Sequence, residues 1–214
     1  RKKLKLMNMP NILEKEDEAI WFVKKKVIKF SQDREFIKNR ILRTKYLNGY
    51  VPRVTAYNDN MYMYNRIEGD VLSQIINLSI FKNFLVHSDK FWVKKRLDVD
   101  AKNLFLLSCN KFYKVKTDER IKLFYEKFNK KDGNEHINNI AVPYLNEILK
   151  QINWDFICAG TASRFHGDFH FENVIYNKKS KKTTFIDWRQ DFGGNIEYGD
   201  IYYDLAKLLH GMLV

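Results

Sequence analysis

Arg164-Phe165-His166-Gly167-Asp168-Phe169-His170-Phe171-Glu172-Asn173-Val174-Ile175-Tyr176 is the stretch that decides how this 214-residue chain is read. It spaces His166, Asp168 and Asn173 as H-x-D-x-x-x-x-N. An aspartate in that place can accept the proton of an attacking hydroxyl, or orient it. An amide oxygen five residues on, past a tight loop, can reach back to a Mg²⁺ ion on a triphosphate. The apolar residues after Asn173 carry it into a strand, which fixes its position. Taken alone, Asp168 and Asn173 also read as a pair that caps a turn.

Outward from this stretch, Asn173–Tyr176 and Thr183–Ile186 read as a hairpin joined by the basic turn Asn177–Lys182. Phe185-Ile186-Asp187-Trp188 closes its second strand, with Asp187 fourteen residues past Asn173. A carboxylate and an amide oxygen facing each other across the hairpin base make a hard-oxygen pair suited to Mg²⁺, which takes few protein ligands and completes its shell with phosphates. Asp191-Phe192-Gly193 spells the metal motif of protein kinases. It lies four residues past the strand end, too far around the hairpin to be the simplest ligand, so Asp187 is expected to hold the metal.

The H-x-D-x-x-x-x-N spacing is that of the protein-kinase catalytic loop. HGDFHFEN at 166–173, FIDW at 185–188 and YGDIYYDLAKL at 198–208 together resemble the aminoglycoside phosphotransferase and choline kinase superfamily, which shares the protein-kinase fold. The likeness is strong over these segments and weaker from Val51 to Ser73. It implies an α+β, two-lobed protein-kinase-like fold, with a small β-rich amino-terminal lobe at 1–67 for the nucleotide. A larger helical lobe at 68–214 would hold the catalytic loop, metal site and acceptor pocket. It also implies Asp168, Asn173 and Asp187 as catalytic residues, with Asn173 and Asp187 as the metal ligands. Asp204 would brace the catalytic loop through backbone hydrogen bonds, or cap a helix.

The amino-terminal lobe matches less closely. Leu4–Met9 reads as a first strand, Pro10–Glu18 as a loop, and Ala19–Val23 with Val27–Phe30 as a hairpin. Val27-Ile28-Lys29-Phe30 resembles the strand whose lysine holds the α- and β-phosphates. Glu35 is its best partner in the helix that follows, expected from Arg34 to Leu47 with Ser31 or Asp33 as N-cap. No glycine precedes Gly49, so no glycine-rich phosphate loop is expected. Pro10–Glu18 covers the phosphates without one, or that part lies upstream of Arg1. The superfamily pairs adenine with backbone groups of the interlobe hinge, here the carbonyl of Asn65 and the amide of Ile67. Beyond the hinge, helices are expected over Val71–Leu85, Asp118–Phe128, Asn138–Ile152 and Ile201–Leu213, and a further strand over Arg164–His166.

Composition sets bounds on the rest. The chain is 45% apolar and 15% aromatic, enough to build a core. Its longest apolar runs are far shorter than a bilayer span, and no apolar segment follows the basic start Arg1–Lys5 as it would in a signal peptide. Cys109 and Cys158 suit a reducing cytoplasm. A net charge of +12 invites a nucleic-acid reading. The lysines are spread along the chain, so nucleic acid is not the expected partner.

The expected function is therefore ATP- and Mg²⁺-dependent transfer of a phosphoryl group to a hydroxyl of a small molecule. A sugar or an amino alcohol is favoured, and an aminoglycoside is the alternative acceptor. Glu172, Asp191, Glu197 and Tyr198 would suit a cationic or polyhydroxyl acceptor, whereas Arg189 beside them would suit an anion. A catalytically inactive, kinase-like module that binds nucleotide or nucleic acid is the alternative function.

Overall fold

The computed structural model describes residues 11–14, 17–133 and 135–213. The strand expected over Leu4–Met9 lies outside them.

The amino-terminal part is one antiparallel sheet with a helix laid against it. Strands β1 (Asn11–Glu14), β2 (Glu18–Val23) and β3 (Lys26–Ser31) are followed by α1 (Arg34–Arg43), β4 (Val54–Tyr57) and β5 (Met61–Asn65). The sheet order is β1-β2-β3-β5-β4. Much of the expected loop Pro10–Glu18 is thus strand β1, because Asn11–Glu14 pairs with Ala19–Phe22 as the sheet edge. Alternation along β3 buries Val27, Lys29 and Ser31 on one face. That period of two places a lysine among buried neighbours. Asp33 caps α1 by accepting the Phe36 N–H at 3.1 Å. The helix ends at Arg43, four residues before the expected Leu47, and the chain continues in turns to Gly49.

The rest is mostly helical. After β6 (Asp70–Val71) come α2 (Leu72–Ile75), α3 (Leu78–Phe91) and α4 (Val99–Asn110). A π-helical turn, Lys111–Val115, joins α4 to α5 (Lys116–Lys127) without a break in the helix. The single helix expected over Val71–Leu85 is divided because Asn77 caps α3, accepting the Ile80 N–H at 3.0 Å. The helix expected over Asn138–Ile152 is a hairpin, β7 (Glu135–Ile137) and β8 (Ile140–Val142), followed by α6 (Leu145–Gln151). Asn138 and Asn139 at its tip both take positive φ, a two-residue turn that asparagine tolerates. Then follow α7 (Trp154–Cys158), β9 (Ala162–Ser163), β10 (Val174–Asn177), β11 (Lys182–Phe185), β12 (Gly199–Asp200) and α8 (Ile201–Leu213).

Two details position the site. Strands β10 and β11 form the expected hairpin, and β6 adds to its outer edge through Ile175 and Val71. Arg164–His166 is not a strand. The Arg164 N–H bonds the Val93 carbonyl at 2.9 Å, and side chains meet the next residues: Asp204 accepts the His166 N–H and Arg43 donates to the Phe165 carbonyl.

One apolar cluster runs through both parts of the chain. Val27, Ile37 and Tyr62 of the first pack with Phe84, Phe91, Phe169, Phe185 and Trp188 of the second. Phe169 and Phe185 stand 4.8 Å apart between ring centroids, and Phe91 and Phe185 5.0 Å. Each fully buried ring of this kind contributes about 2–3 kcal/mol, so the loop from His166 to Asn173 rests on a packed aromatic floor. A second cluster of Phe105, Cys109, Phe112, Phe165 and Phe192 lies beneath α4 and the π turn. Among the described residues no helix is long and apolar enough to cross a membrane.

Candidate active site

The loop from His166 to Asn173 is held from below. The Asp204 carboxylate on α8 is fully buried and accepts the His166 and Gly167 N–H groups, each at 2.7 Å, and the Trp92 indole N–H at 3.1 Å. Burial pushes its pKa up to about 6, against the pull of those donors. Gly167 must be glycine: its φ is +91°, and a Cβ there would lie 2.5 Å from Cβ of Arg189.

Asp168 and Asn173 meet at the loop mouth. Asn173 Nδ2 donates to the Asp168 carbonyl and to Asp168 Oδ2, both at 3.0 Å. With Nδ2 so engaged, Asn173 Oδ1 has no hydrogen-bond partner among the described residues. Lys207 on α8 places its ammonium 2.8 Å from Asp168 Oδ1. Burial opposes the Asp168 charge, but Lys207 outweighs it and holds the carboxyl below the usual range.

His166 ties this loop to the strand opposite. Its Nε2 lies 2.9 Å from the Ile186 carbonyl and its Nδ1 3.3 Å from the Asp168 N–H. The neutral tautomer with hydrogen on Nε2 satisfies both contacts. Burial, followed by the Arg43 charge, lowers its pKa to about 3. The unfolded chain would bind a proton near pH 6.5 that the folded one refuses until about pH 3. This contribution to stability is therefore present above pH 6.5 and is lost as pH falls towards 3. Chemical denaturation at about pH 7.5 and 4.5 should show a smaller loss for His166→Gln than for wild type. An equal loss would refute the neutral assignment.

Asp187 sits at the end of β11, with Ile186 N–H bonded to the Asn173 carbonyl at 2.9 Å. The two strand ends are thus adjacent, as the hairpin spacing predicts. Asp187 adopts φ +61°, a left-handed conformation that aspartate tolerates better than most residues. Its Oδ1 takes two cations at 2.5 Å each, Lys29 from β3 and Arg40 from α1. Burial opposes its charge, but Lys29 and Arg40 outweigh it and hold the carboxyl well below the usual range.

The expected pair of Lys29 and Glu35 is absent. Glu35 is exposed and pairs with Lys38 at 3.2 Å, because the helix turns its first-turn acid to solvent. The α1 residue that reaches Lys29's partner is Arg40. Asp191 is engaged elsewhere, its Oδ1 accepting the Gly194 N–H at 2.9 Å in a tight turn. Phe192 is fully buried in the second cluster, and Gly193 passes against the Ser108 carbonyl where a Cβ would lie at 2.3 Å. That tripeptide is a structural turn. Asn65 and Ile67 line a common pocket of about 420 Å³ with Pro52–Thr55.

Sequence reasoning missed Arg40, Arg43 and Lys207. Arg43 is fully buried and donates to the carbonyls of Phe165, His166, Arg189 and Ile196. The available signal was Arg40 and Arg43 at three-residue steps from Ile37, which puts charge on the apolar stripe of α1. Lys207 lies three residues after Asp204 on α8, so it shares a helix face with the loop brace.

Residues 131–213 match the family model described as the phosphotransferase enzyme family. This bears out the resemblance read from the three motifs, all of which fall inside the match. Among solved structures, the streptomycin–ATP–APH(2")-IIa ternary complex is similar at TM-score 0.50 and 19% identity, covering 90% of this chain and 68% of that one. That likeness shows the fold: the chain is α+β with a kinase-like arrangement, as the motifs imply. Aminoglycoside phosphotransferase APH(3'')-Id from Streptomyces rimosus ATCC10970 aligns at TM-score 0.49 and 13% identity, over 95% of this chain and 77% of that chain. No curated protein matches the chain significantly.

Proposed function

We propose that the protein is a small-molecule phosphotransferase that moves the γ-phosphoryl group of ATP to a hydroxyl. The observation that carries this reading is Asp168, held by Asn173 and Lys207, beside the strand end where Asp187 takes Lys29 and Arg40, with the Asn173 carbonyl accepting the Ile186 N–H at 2.9 Å. In the reaction the acceptor oxygen bonds to the γ-phosphorus as the bridging P–O bond to ADP breaks. Asp168 orients the hydroxyl and takes its proton. Residues 1–67 would serve as the nucleotide lobe and 68–214 as the catalytic lobe. Lys29 would contact the phosphates, and the Asn65 carbonyl and Ile67 amide would pair with adenine. The Ile67 N–H makes no hydrogen bond among the described residues, which leaves it free for that role. The ATP bound in the APH(2")-IIa complex supports the choice of donor. The two free, buried thiols suit a cytoplasmic setting.

Asn173 Oδ1 and the Asp187 carboxylate have the donor chemistry to hold Mg²⁺. When bound, the ion would neutralise charge on the phosphates. Asp187 must then share its carboxylate between the ion and the two cations now on Oδ1. Asp187→Ala should abolish Mg²⁺ stimulation of nucleotide-analogue binding, a loss of about 10–100-fold. Metal-free binding should persist, because Lys29 and Arg40 lose their anion and gain the phosphates. Asp191→Ala should leave the Mg²⁺ response intact. A Mg²⁺ titration that fails only in the Asp191 variant would overturn the ligand assignment.

The reading as a whole is tested by an ATP-consumption screen over sugars, amino alcohols and aminoglycosides, with phosphorus NMR of the product. Nucleotide binding without turnover on any acceptor would favour the inactive-module alternative.

A further inference from the structure

The acidic residues that would welcome a cationic acceptor already have hydrogen-bond or ion-pair partners. Glu197 pairs with Lys95 at 2.5 Å, Glu172 lies 2.7 Å from His170 Nδ1, and Asp191 closes its own turn. Cations are not so engaged. Lys116 and Arg189 both lie over the Phe112 ring, at 4.0 and 4.9 Å from its centroid, and neither makes an ion pair among the described residues. They line a pocket of about 310 Å³ with Lys111, Phe112, Glu119 and Asp191.

This pocket adjoins the catalytic loop. Arg189 donates its N–H to the His166 carbonyl at 2.9 Å, and its Cβ packs against Gly167, the residue before Asp168. Lys116 is within electrostatic reach of Lys207, which touches Asp168. The π-helical turn at 111–115 ends just before Lys116. Such turns inside α-helices recur at functional sites.

We infer that the pocket of Lys116, Arg189 and Phe112 receives an oxyanion of the acceptor, so that the phosphorylated molecule bears a carboxylate or phosphate near its reacting hydroxyl. This rests on the phosphotransferase reading and narrows its substrate class. Burial first, and then the charges of Arg189 and Arg120, lower Lys116 to about 8, while Asp191 pulls the other way. An ammonium pressed by cations in this manner gains from a bound anion. The aromatic floor fits a compact ring or chain carrying that anion.

The test compares glucose 6-phosphate, glucuronate, glucose, glucosamine and kanamycin as acceptors, in wild type and in Lys116→Met and Arg189→Met, with thermal melts to verify folding. Turnover on the phosphate or carboxylate probe should exceed that on glucose by about tenfold or more, the equivalent of about 1.4 kcal/mol. Either variant should lose that preference and keep its rate on glucose. Preference for glucosamine or kanamycin, or an equal loss on all acceptors, overturns the inference. If nothing is turned over, binding of glucose 6-phosphate and glucuronate to the ADP-loaded protein decides. Binding that each variant weakens about tenfold upholds the anion pocket while the transfer reading fails, and no binding overturns the pocket as well. Which probe succeeds separates a phosphate from a carboxylate.

Discussion

Asp168→Asn should lower turnover by about 10²–10⁴-fold while leaving nucleotide binding nearly unchanged. The side chain keeps its size, and Asn173 can still donate to the position of Asp168 Oδ2, now 3.0 Å away. What disappears is the negative charge. The amide cannot take the hydroxyl proton, and Lys207 loses the partner it holds at 2.8 Å. The cluster of Lys29, Arg40 and Asp187, proposed above to meet the phosphates, is untouched, so affinity for an ATP analogue should survive. Steady-state kinetics alongside an analogue titration separates the two effects. A variant that retains more than about a tenth of the wild-type rate would show that another group takes the proton.

Asp204→Ala should cost about 3–5 kcal/mol of stability in urea or guanidinium unfolding at neutral pH. The substitution orphans three donors at once, the His166 and Gly167 N–H groups and the Trp92 indole. It also removes the acid whose charge most favours the buried Arg43 guanidinium, whose pKa burial lowers to about 9. Asp204→Asn keeps one acceptor oxygen and should recover part of the loss. A cost below about 1 kcal/mol for the alanine variant would mean that the loop is held by its aromatic floor alone.

Much of this arrangement was legible before any coordinates. The hairpin of β10 and β11, the proximity of Asn173 to the Asp187 end of it, and the span of α8 follow from alternation, turn residues and motif spacing. The separate placement of Asp187 at the strand end and of Asp191 in a turn beyond it was legible too, because a strand end limits where a side chain can reach. Contacts between the two parts of the chain were not legible. Lys29 alternates correctly into the buried face of β3, but the sequence does not say which residue of α1 faces it. The rule that a lysine seeks a carboxylate pointed to Glu35, the acid available in that helix, whereas the carboxylate it meets is Asp187, 158 residues away. The helix expected over Asn138–Ile152 failed for a local reason. Helical apolar spacing is weak evidence in a segment that contains an Asn-Asn pair and Pro143, which favour a turn and then a fresh start.

Arg43 has a bearing on control. It lies at the carboxyl end of α1, yet its four hydrogen bonds all go to carbonyls on or near the His166–Asn173 loop. Protein kinases are commonly switched off by swinging the corresponding helix away from the cleft. Here the same excursion would strand a guanidinium and the Phe165, Arg189 and Ile196 carbonyls, at about 1–3 kcal/mol for each unmet group that is buried. The helix is bolted to the machinery it would have to abandon. For the phosphotransferase proposed above, that coordinate offers no cheap off position.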